Sequence, residues 1–229
     1  MSRSSLKIAK KSLVDLAAER IREAILTGAL KPGARLLETS LAEEIGASRG
    51  TIRAALAELQ RDGLVTCERF SAWSVAHLDA SALWEIYTMR AALESTAARL
   101  LAERLTPQDA AAIKTAQRGL AEAEKNGSAA RRLEADLTFH RTIVERCGNS
   151  LLAESYATIL DKIRWVYAVS EEVEPLRIDL VDWHEPLADA ICKGEAEKAA
   201  RLAYTLCMRS LEDDLRDRRL PGTDAAAAS

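Results

Sequence analysis

Residues 39–67 read TSLAEEIGASRGTIRAALAELQRDGLVTC, and this stretch decides the fold. Thr39 to Ile45 has the composition of a short helix, and Gly46-Ala47 makes a tight link after it. Ser48 is placed to cap a further helix over Arg49 to about Asp62, because a serine oxygen can accept from free amide groups at a helix start. Ile52, Ala55, Leu56 and Leu59 recur at helical spacing and form one apolar face. Leu64 to Cys67 then reads as a strand, and Trp73 to Ala76 as its partner across a short loop. Upstream, Leu13, Leu16, Ala17, Ile21, Ala24 and Ile25 share one face of an earlier helix. Thr27-Gly28 and Lys31-Pro32-Gly33 stop that helix and build a turn. Three helices followed by a two-stranded wing predict a winged helix-turn-helix.

Beyond His77 the strand signals stop and the chain becomes Ala-rich with helical periodicity. Helices are expected at about 80–104, 107–126, 129–147, 150–170, 175–193 and 195–217. Thr106-Pro107 pairs a capping residue with a proline at the first helical position. Asn126-Gly127, Gly148-Asn149 and Gly194 are stop signals. The expected architecture is mainly α: residues 1–78 as the winged helix-turn-helix, 79–220 as an all-α antiparallel bundle of six helices, and 221–229 as a frayed tail.

The 229 residues are 48% apolar, enough for two packed cores. The net charge of −3 conceals an asymmetry. Residues 1–78 carry 12 Lys and Arg against 9 Asp and Glu, while the remainder carries 20 against 26. A locally basic unit can meet phosphate even when its companion is acidic. Cys67, Cys147, Cys192 and Cys207 form no CxxC pair, so they read as free thiols of a reducing compartment. No apolar run has the length of a membrane span, and the basic polar stretch Met1 to Lys11 lacks a signal pattern. A cytoplasmic protein without a membrane partner is expected.

Arg49 and Arg53 lie one turn apart beside the apolar stripe at the start of the third helix. Such a helix presents its N-terminal side chains to base edges, and arginine pairs bidentately with guanine. Gly50 lets the backbone come close to a duplex. For an isolated pair, two solvated surface arginines would be the alternative. The surrounding motif decides otherwise, because it resembles the GntR family of bacterial regulators. The resemblance is carried by residues 25–30 (ILTGAL), 32–36 (PGARL), Leu41-Ala42, 45–49 (IGASR), 52–56 (IRAAL), Leu59 and 62–65 (DGLV). It implies base or phosphate contacts from Arg49 and Arg53, backbone contacts from Ser48 and Thr51, and a peripheral phosphate contact from Arg35. Two positions depart from the family pattern. Gly50-Thr51 stands where Thr-Pro is common, and Ser71-Ala72 stands where an Arg-Gly pair enters the minor groove. Arg69 partly replaces the latter, with Phe70 or Trp73 packing under the wing.

The second unit resembles the FCD ligand-binding domain over about residues 80–217, through residues 90–94 (RAALE), 136–140 (DLTFH), His184 to Leu187, and Ala190-Ile191 to Gly194. Asp136 and His140, at i and i+4, leave one helix face together. With His184 they make a candidate site for one divalent metal of the Zn, Ni or Mn class. The resembling domains supply a further histidine where this chain has Leu206, and neighbouring Cys207 points about 100° away around the helix. Two readings stay open: three ligands plus water or an effector carboxylate hold the metal, or the cavity has lost its metal and takes a more apolar effector. Arg90 is a candidate for an effector carboxylate, with an ion pair to Glu94 as the structural alternative. Trp84, Tyr87, Trp165, Tyr167, Trp183 and Tyr204 either wall the cavity or fill the core, and core is the expectation for each.

Together these readings imply a homodimeric, ligand-responsive repressor that binds double-stranded operator DNA and a small-molecule effector such as an organic acid, with a divalent metal as its candidate cofactor. The alternatives are a ligand-free dimeric DNA-binding regulator with a vestigial metal site, and a metal-dependent enzyme fused to a DNA-binding module. No nucleophile, phosphate loop or cofactor motif supports the enzyme.

Overall fold

The computed structural model describes residues 11–68, 72–170 and 179–217. The chain divides into two compact units, Met1–His77 and Leu78–Ser229.

In the first unit, α1 (Leu13–Leu26) starts at a reciprocal cap. The Ser12 side chain accepts from the Asp15 amide while the Asp15 carboxylate accepts from the Ser12 amide. Its Ala17, Ala18, Ile21 and Ile25 are buried as the periodicity requires. The helix α2 (Glu38–Ile45) begins one residue before its expected start and ends at Gly46, whose φ of +72° suits a residue without Cβ. The helix α3 (Arg49–Arg61) begins at Ser48, whose hydroxyl accepts from the Thr51 amide. It buries Ile52, Ala55, Leu56 and Leu59 completely, and each of the larger three contributes about 1.5–3 kcal/mol of apolar transfer.

The wing differs from the expected two-stranded ribbon. Strands β1 (Arg35–Leu36), β2 (Val65–Glu68) and β3 (Ala72–Val75) form an antiparallel sheet in the order β1-β3-β2. Leu36 stands opposite Trp73, and Trp73 stands opposite Cys67 on its other side. β1 is only two residues long, so it carries no alternation of its own. It forms because Ala34 and Gly33 exchange backbone hydrogen bonds with Val75. Gly33 makes the entry possible: its φ is +75°, and a Cβ there would lie 2.6 Å from Cε1 of His77.

The second unit is helical: α4 (Ala80–Glu103), α5 (Pro107–Asn126), α6 (Ala129–Arg146), α7 (Ser150–Ser170), α8 (Leu180–Cys192) and α9 (Ala196–Asp217). Thr106 and Asp109 cap α5 reciprocally, with Pro107 in its first turn. The expected helix over 175–193 is seen from Leu180, where Asp179 accepts from the Asp182 amide; residues 175–178 lie outside the described residues, as does the expected tail. The long helix α4 is the axis of the core, packing on α6, α7, α8 and most extensively α9. Its buried Leu83, Ala91, Ala97, Ala98 and Leu101 face those neighbours. The same buried surface carries Arg90 and Glu94, which places two charges in the middle of the unit.

Of the aromatic residues expected in the core, Tyr87, Trp165 and Tyr167 are buried. Trp84 and Tyr204 are 57% and 50% exposed and correct that expectation. Both sit on the solvent side of helices whose opposite faces already fill the core. Trp183 is half-buried under the Arg209 guanidinium, 3.6 Å from the ring centre.

Candidate nucleic-acid face and metal centre

On the first unit, the cap of α3 sets the candidate DNA-reading side chains. Ser48 Oγ lies 2.9 Å from Thr51 Oγ1 as well as on the Thr51 amide, so both hydroxyls are fixed at the helix start. A Cβ on Gly50 would meet nothing nearer than Ser48 Oγ at 3.8 Å, so internal packing does not require glycine there. Arg49 and Arg53 leave the same end of the helix with side chains 64% exposed. Arg35, on β1, is exposed as well. Arg69, Phe70 and Ser71 lie outside the described residues, while Ala72 opens β3 opposite Glu68.

The two arginines meet one carboxylate. Glu38, at the first position of α2, accepts from Arg53 Nε and Nη2 at 2.8 Å each. Arg49 Nη2 stands 3.6 Å away, and Trp73 Nε1 donates to the same carboxylate at 3.2 Å. The Arg53 hydrogen bonds, with help from Trp73 and the positive field of both arginines, hold the Glu38 carboxyl down at about 2. Glu38 did not stand out in the sequence, since a glutamate in a first helical turn is ordinary.

In the second unit, Asp136 and His140 on α6 and His184 on α8 come together as the sequence predicts, each at most 5% exposed. The His140 and His184 Nε2 atoms are 3.1 Å apart, and they lie 3.7 and 3.0 Å from Asp136 Oδ1. The outer nitrogens determine what these atoms can be. His184 Nδ1 lies 2.7 Å from the Leu180 carbonyl, which only accepts, so that nitrogen carries the proton. His140 Nδ1 stands 2.6 Å from Glu94 Oε2, close but off a good hydrogen-bond angle, and a carboxylate there likewise calls for a proton on Nδ1. Both Nε2 atoms then turn lone pairs toward a carboxylate oxygen.

Three acceptors at such separations repel unless a cation sits among them. A proton on one imidazole is one solution, but burial depresses the His140 pKa. A divalent ion is the other. Adjacent donors around a tetrahedral ion with bonds of about 2.0–2.1 Å are roughly 3.3 Å apart, which the three observed separations bracket. Asp136 Oδ2 has no hydrogen-bond partner among the described residues, its nearest cation being Arg90 Nη2 at 3.9 Å. Burial would raise the Asp136 pKa, but the histidines, whenever one carries a proton, and Arg90 outweigh it and hold the carboxyl below its ordinary value, so that it is ionised and able to act as a ligand. The donor set therefore fits a borderline metal such as zinc.

Glu94 binds this cluster together, and the sequence showed only its relation to Arg90. Its Oε1 accepts from Arg90 Nε at 2.7 Å and from the Tyr156 hydroxyl at 2.9 Å. Its Oε2 faces His140 and accepts from Cys207 Sγ at 3.4 Å. Cys207 thus points at Glu94, and burial pushes its thiol pKa well up, which is unlike a metal thiolate. Arg90 is engaged by Glu94 and lies 3.4 Å from the Tyr167 hydroxyl. Among the candidate roles for it, this pairing matches the ion pair. Beside His184, Lys114 and Arg118 of α5 and Glu185 of α8 line a cleft of about 570 Å³.

Comparison with known proteins follows this division. The family model for bacterial regulatory proteins, gntR family, matches residues 13–75, and that for the FCD domain matches residues 85–207. The Nta operon transcriptional regulator of Aminobacter aminovorans is 32% identical over 137 residues, covering 59% of this chain and 64% of that protein. The HTH-type transcriptional regulator McbR of Escherichia coli is 32% identical over 134 residues, 58% of this chain and 61% of the relative. The matches thus span less than two thirds of the length of these two relatives. A putative L-lactate dehydrogenase operon regulatory protein of Escherichia coli is 27% identical over 244 aligned positions, covering 92% of this chain and 93% of that one. Among solved structures, Escherichia coli McbR/YncC superposes with a TM-score of 0.71 at 24% identity, covering 90% of this chain and 99% of the other. A structure described as a putative transcriptional regulator GntR from Rhodococcus sp. RHA1 gives 0.72 at 23%, over 91% of this chain and 100% of the other. These structural likenesses concern the fold. Among the described residues, no helix is long and apolar enough to cross a membrane.

Proposed function

Since the chain belongs to the FCD-domain regulators of the GntR family, we propose that it is a DNA-binding transcription regulator controlled by a small ligand in its helical unit. The observation that carries this reading is the pair of exposed arginines, Arg49 and Arg53, on the capped N-terminal turn of α3. In a winged helix-turn-helix that turn enters the major groove, where arginine reads guanine and backbone amides meet phosphate. Ser48 and Thr51 fix the turn, Gly50 leaves room for the duplex, Arg35 supplies a peripheral phosphate contact, and Arg69 partly replaces the wing arginine of the family at the minor groove. The protein acts as a cytoplasmic homodimer, so that two such helices meet two half-sites of a palindrome.

The helical unit responds to the ligand. Asp136, His140 and His184 hold a divalent ion, which supplies a Lewis-acid anchor for an oxygen ligand. Glu94 and the Leu180 carbonyl orient the two imidazoles. Arg90 holds Glu94 in place and so takes part in the site through that carboxylate. The charge balance supports an anionic effector. Arg90 against Glu94 and Asp136 leaves one net negative charge, a divalent ion turns this to one positive, and a monocarboxylate brings it to zero. Lys114 and Arg118 along the adjacent cleft favour the same sign of ligand. The effector regulates by binding one arrangement of the dimer more tightly than the other.

Selection from a randomised duplex library tests the reading. Enrichment of an inverted repeat by the purified protein is expected. A library that passes through many rounds without an enriched sequence rejects it.

A further inference from the structure

Glu38 touches both other parts of the DNA-reading face. Its side chain is only 12% exposed, although it belongs to the first turn of a surface helix. Its carboxylate takes two donors from Arg53 of α3 and one from Trp73 of β3, with Arg49 Nη2 at 3.6 Å. Trp73 is buried and lies in the central strand of the wing, so it is itself fixed. One carboxylate from α2 therefore joins the third helix to the wing.

The atoms used on Arg53 matter. A guanidinium has five N–H groups, and the edge formed by Nε and one terminal nitrogen is the edge that Glu38 occupies. What remains is the edge between the two terminal nitrogens, whose parallel N–H groups match O6 and N7 of guanine. A guanidinium held on one side loses less rotamer freedom when it meets a base on the other.

We propose, on the basis of the DNA-binding reading above, that Glu38 is a specificity-determining positioning residue: it holds Arg53 by its Nε/Nη2 edge so that the remaining edge reads guanine, and it ties this arginine to the wing through Trp73. Two simpler roles make different predictions. A bridge that only stabilises the fold leaves base preference unchanged when it is lost. A carboxylate that only repels phosphate, once neutralised, tightens binding equally on every sequence.

The test uses the full chain and a duplex enriched from a randomised library by the wild type. Affinities are measured by fluorescence anisotropy at one salt concentration, for that duplex and for versions with each guanine pair changed to adenine. The wild type is expected to discriminate at one guanine per half-site by roughly ten- to hundredfold. Glu38→Gln loses about tenfold of that discrimination at the same base pair, and so does Arg53→Ala. The double variant discriminates no worse than Arg53→Ala alone, because the two residues act as one. Glu38→Asp keeps the charge but withdraws the carboxylate by one methylene, and it too loses discrimination. Unchanged guanine preference in folded Glu38→Gln and Glu38→Asp, or uniformly tighter binding in Glu38→Gln, overturns the proposal while leaving DNA binding intact. Failure of the wild type to enrich any sequence overturns both.

Discussion

Zinc added to metal-free protein is expected to raise the melting temperature of the helical unit, and the donor set determines by how much. Three lone-pair donors stand 3.0, 3.1 and 3.7 Å from one another, and both imidazoles are already held by outer partners. With free zinc one hundredfold above its dissociation constant, linkage stabilises the folded state by about 2.7 kcal/mol. For a unit of this size that corresponds to a rise of about 5–10 °C. His140→Ala removes one donor, and its zinc-dependent rise, taken against its own metal-free baseline, should vanish. Glu94→Gln weakens only the support of His140. A loss of about 10–100-fold in affinity reduces the increment to about 0.4–1.4 kcal/mol at the same zinc concentration. Leu206→His places the histidine of the resembling domains on α9 and should enlarge the rise. Differential scanning calorimetry after chelation and dialysis reads all four proteins. An equal rise in wild type and His140→Ala would mean that zinc binds elsewhere, and no rise in wild type would mean that a proton satisfies the cluster. Either result would refute the reasoning from converging lone pairs.

Two further outcomes concern the first unit. Ser48→Ala removes the side-chain acceptor at the start of α3 and should cost about 1 kcal/mol in urea unfolding; unchanged stability would show that the cap contributes nothing. The Glu38 carboxyl moves from an ordinary 4.5 to about 2 on folding. Its contribution to stability is therefore complete above 4.5 and is lost as the pH falls toward 2. Urea unfolding should separate wild type from Glu38→Gln near neutral pH and bring them together near pH 2. A gap that persists at the acid end would contradict the assigned ion pair.

What could be read from the sequence was what depends on neighbours along the chain. The stripe Ile52, Ala55, Leu56 and Leu59, the caps Ser48 and Thr106, and the stop at Gly46 are local, and each appears where expected. Asp136 and His140 were visible as a pair because one helical turn brings them together, and His184 because a resembling pattern pointed to it. The strand β1 was not visible, because Arg35 and Leu36 become a strand only when β3 pairs with them. Glu38 and Glu94 were missed as site residues for a related reason. Each looks like an ordinary helical glutamate until partners arrive from other elements: Arg53 and Trp73 for one, Tyr156, His140 and Cys207 for the other. The direction of Cys207, toward Glu94, also needed the packing of α9 on α4.

The central claim, that Arg49 and Arg53 make this chain a sequence-specific DNA-binding protein, is tested most directly by one ratio: the affinity for the selected duplex over that for a scrambled duplex of equal length, at fixed salt. The account predicts a ratio of roughly a thousand or more for the wild type, collapsing toward one in the folded Arg49→Ala/Arg53→Ala variant. A wild-type ratio near one, or a high ratio that survives loss of both arginines, would contradict it.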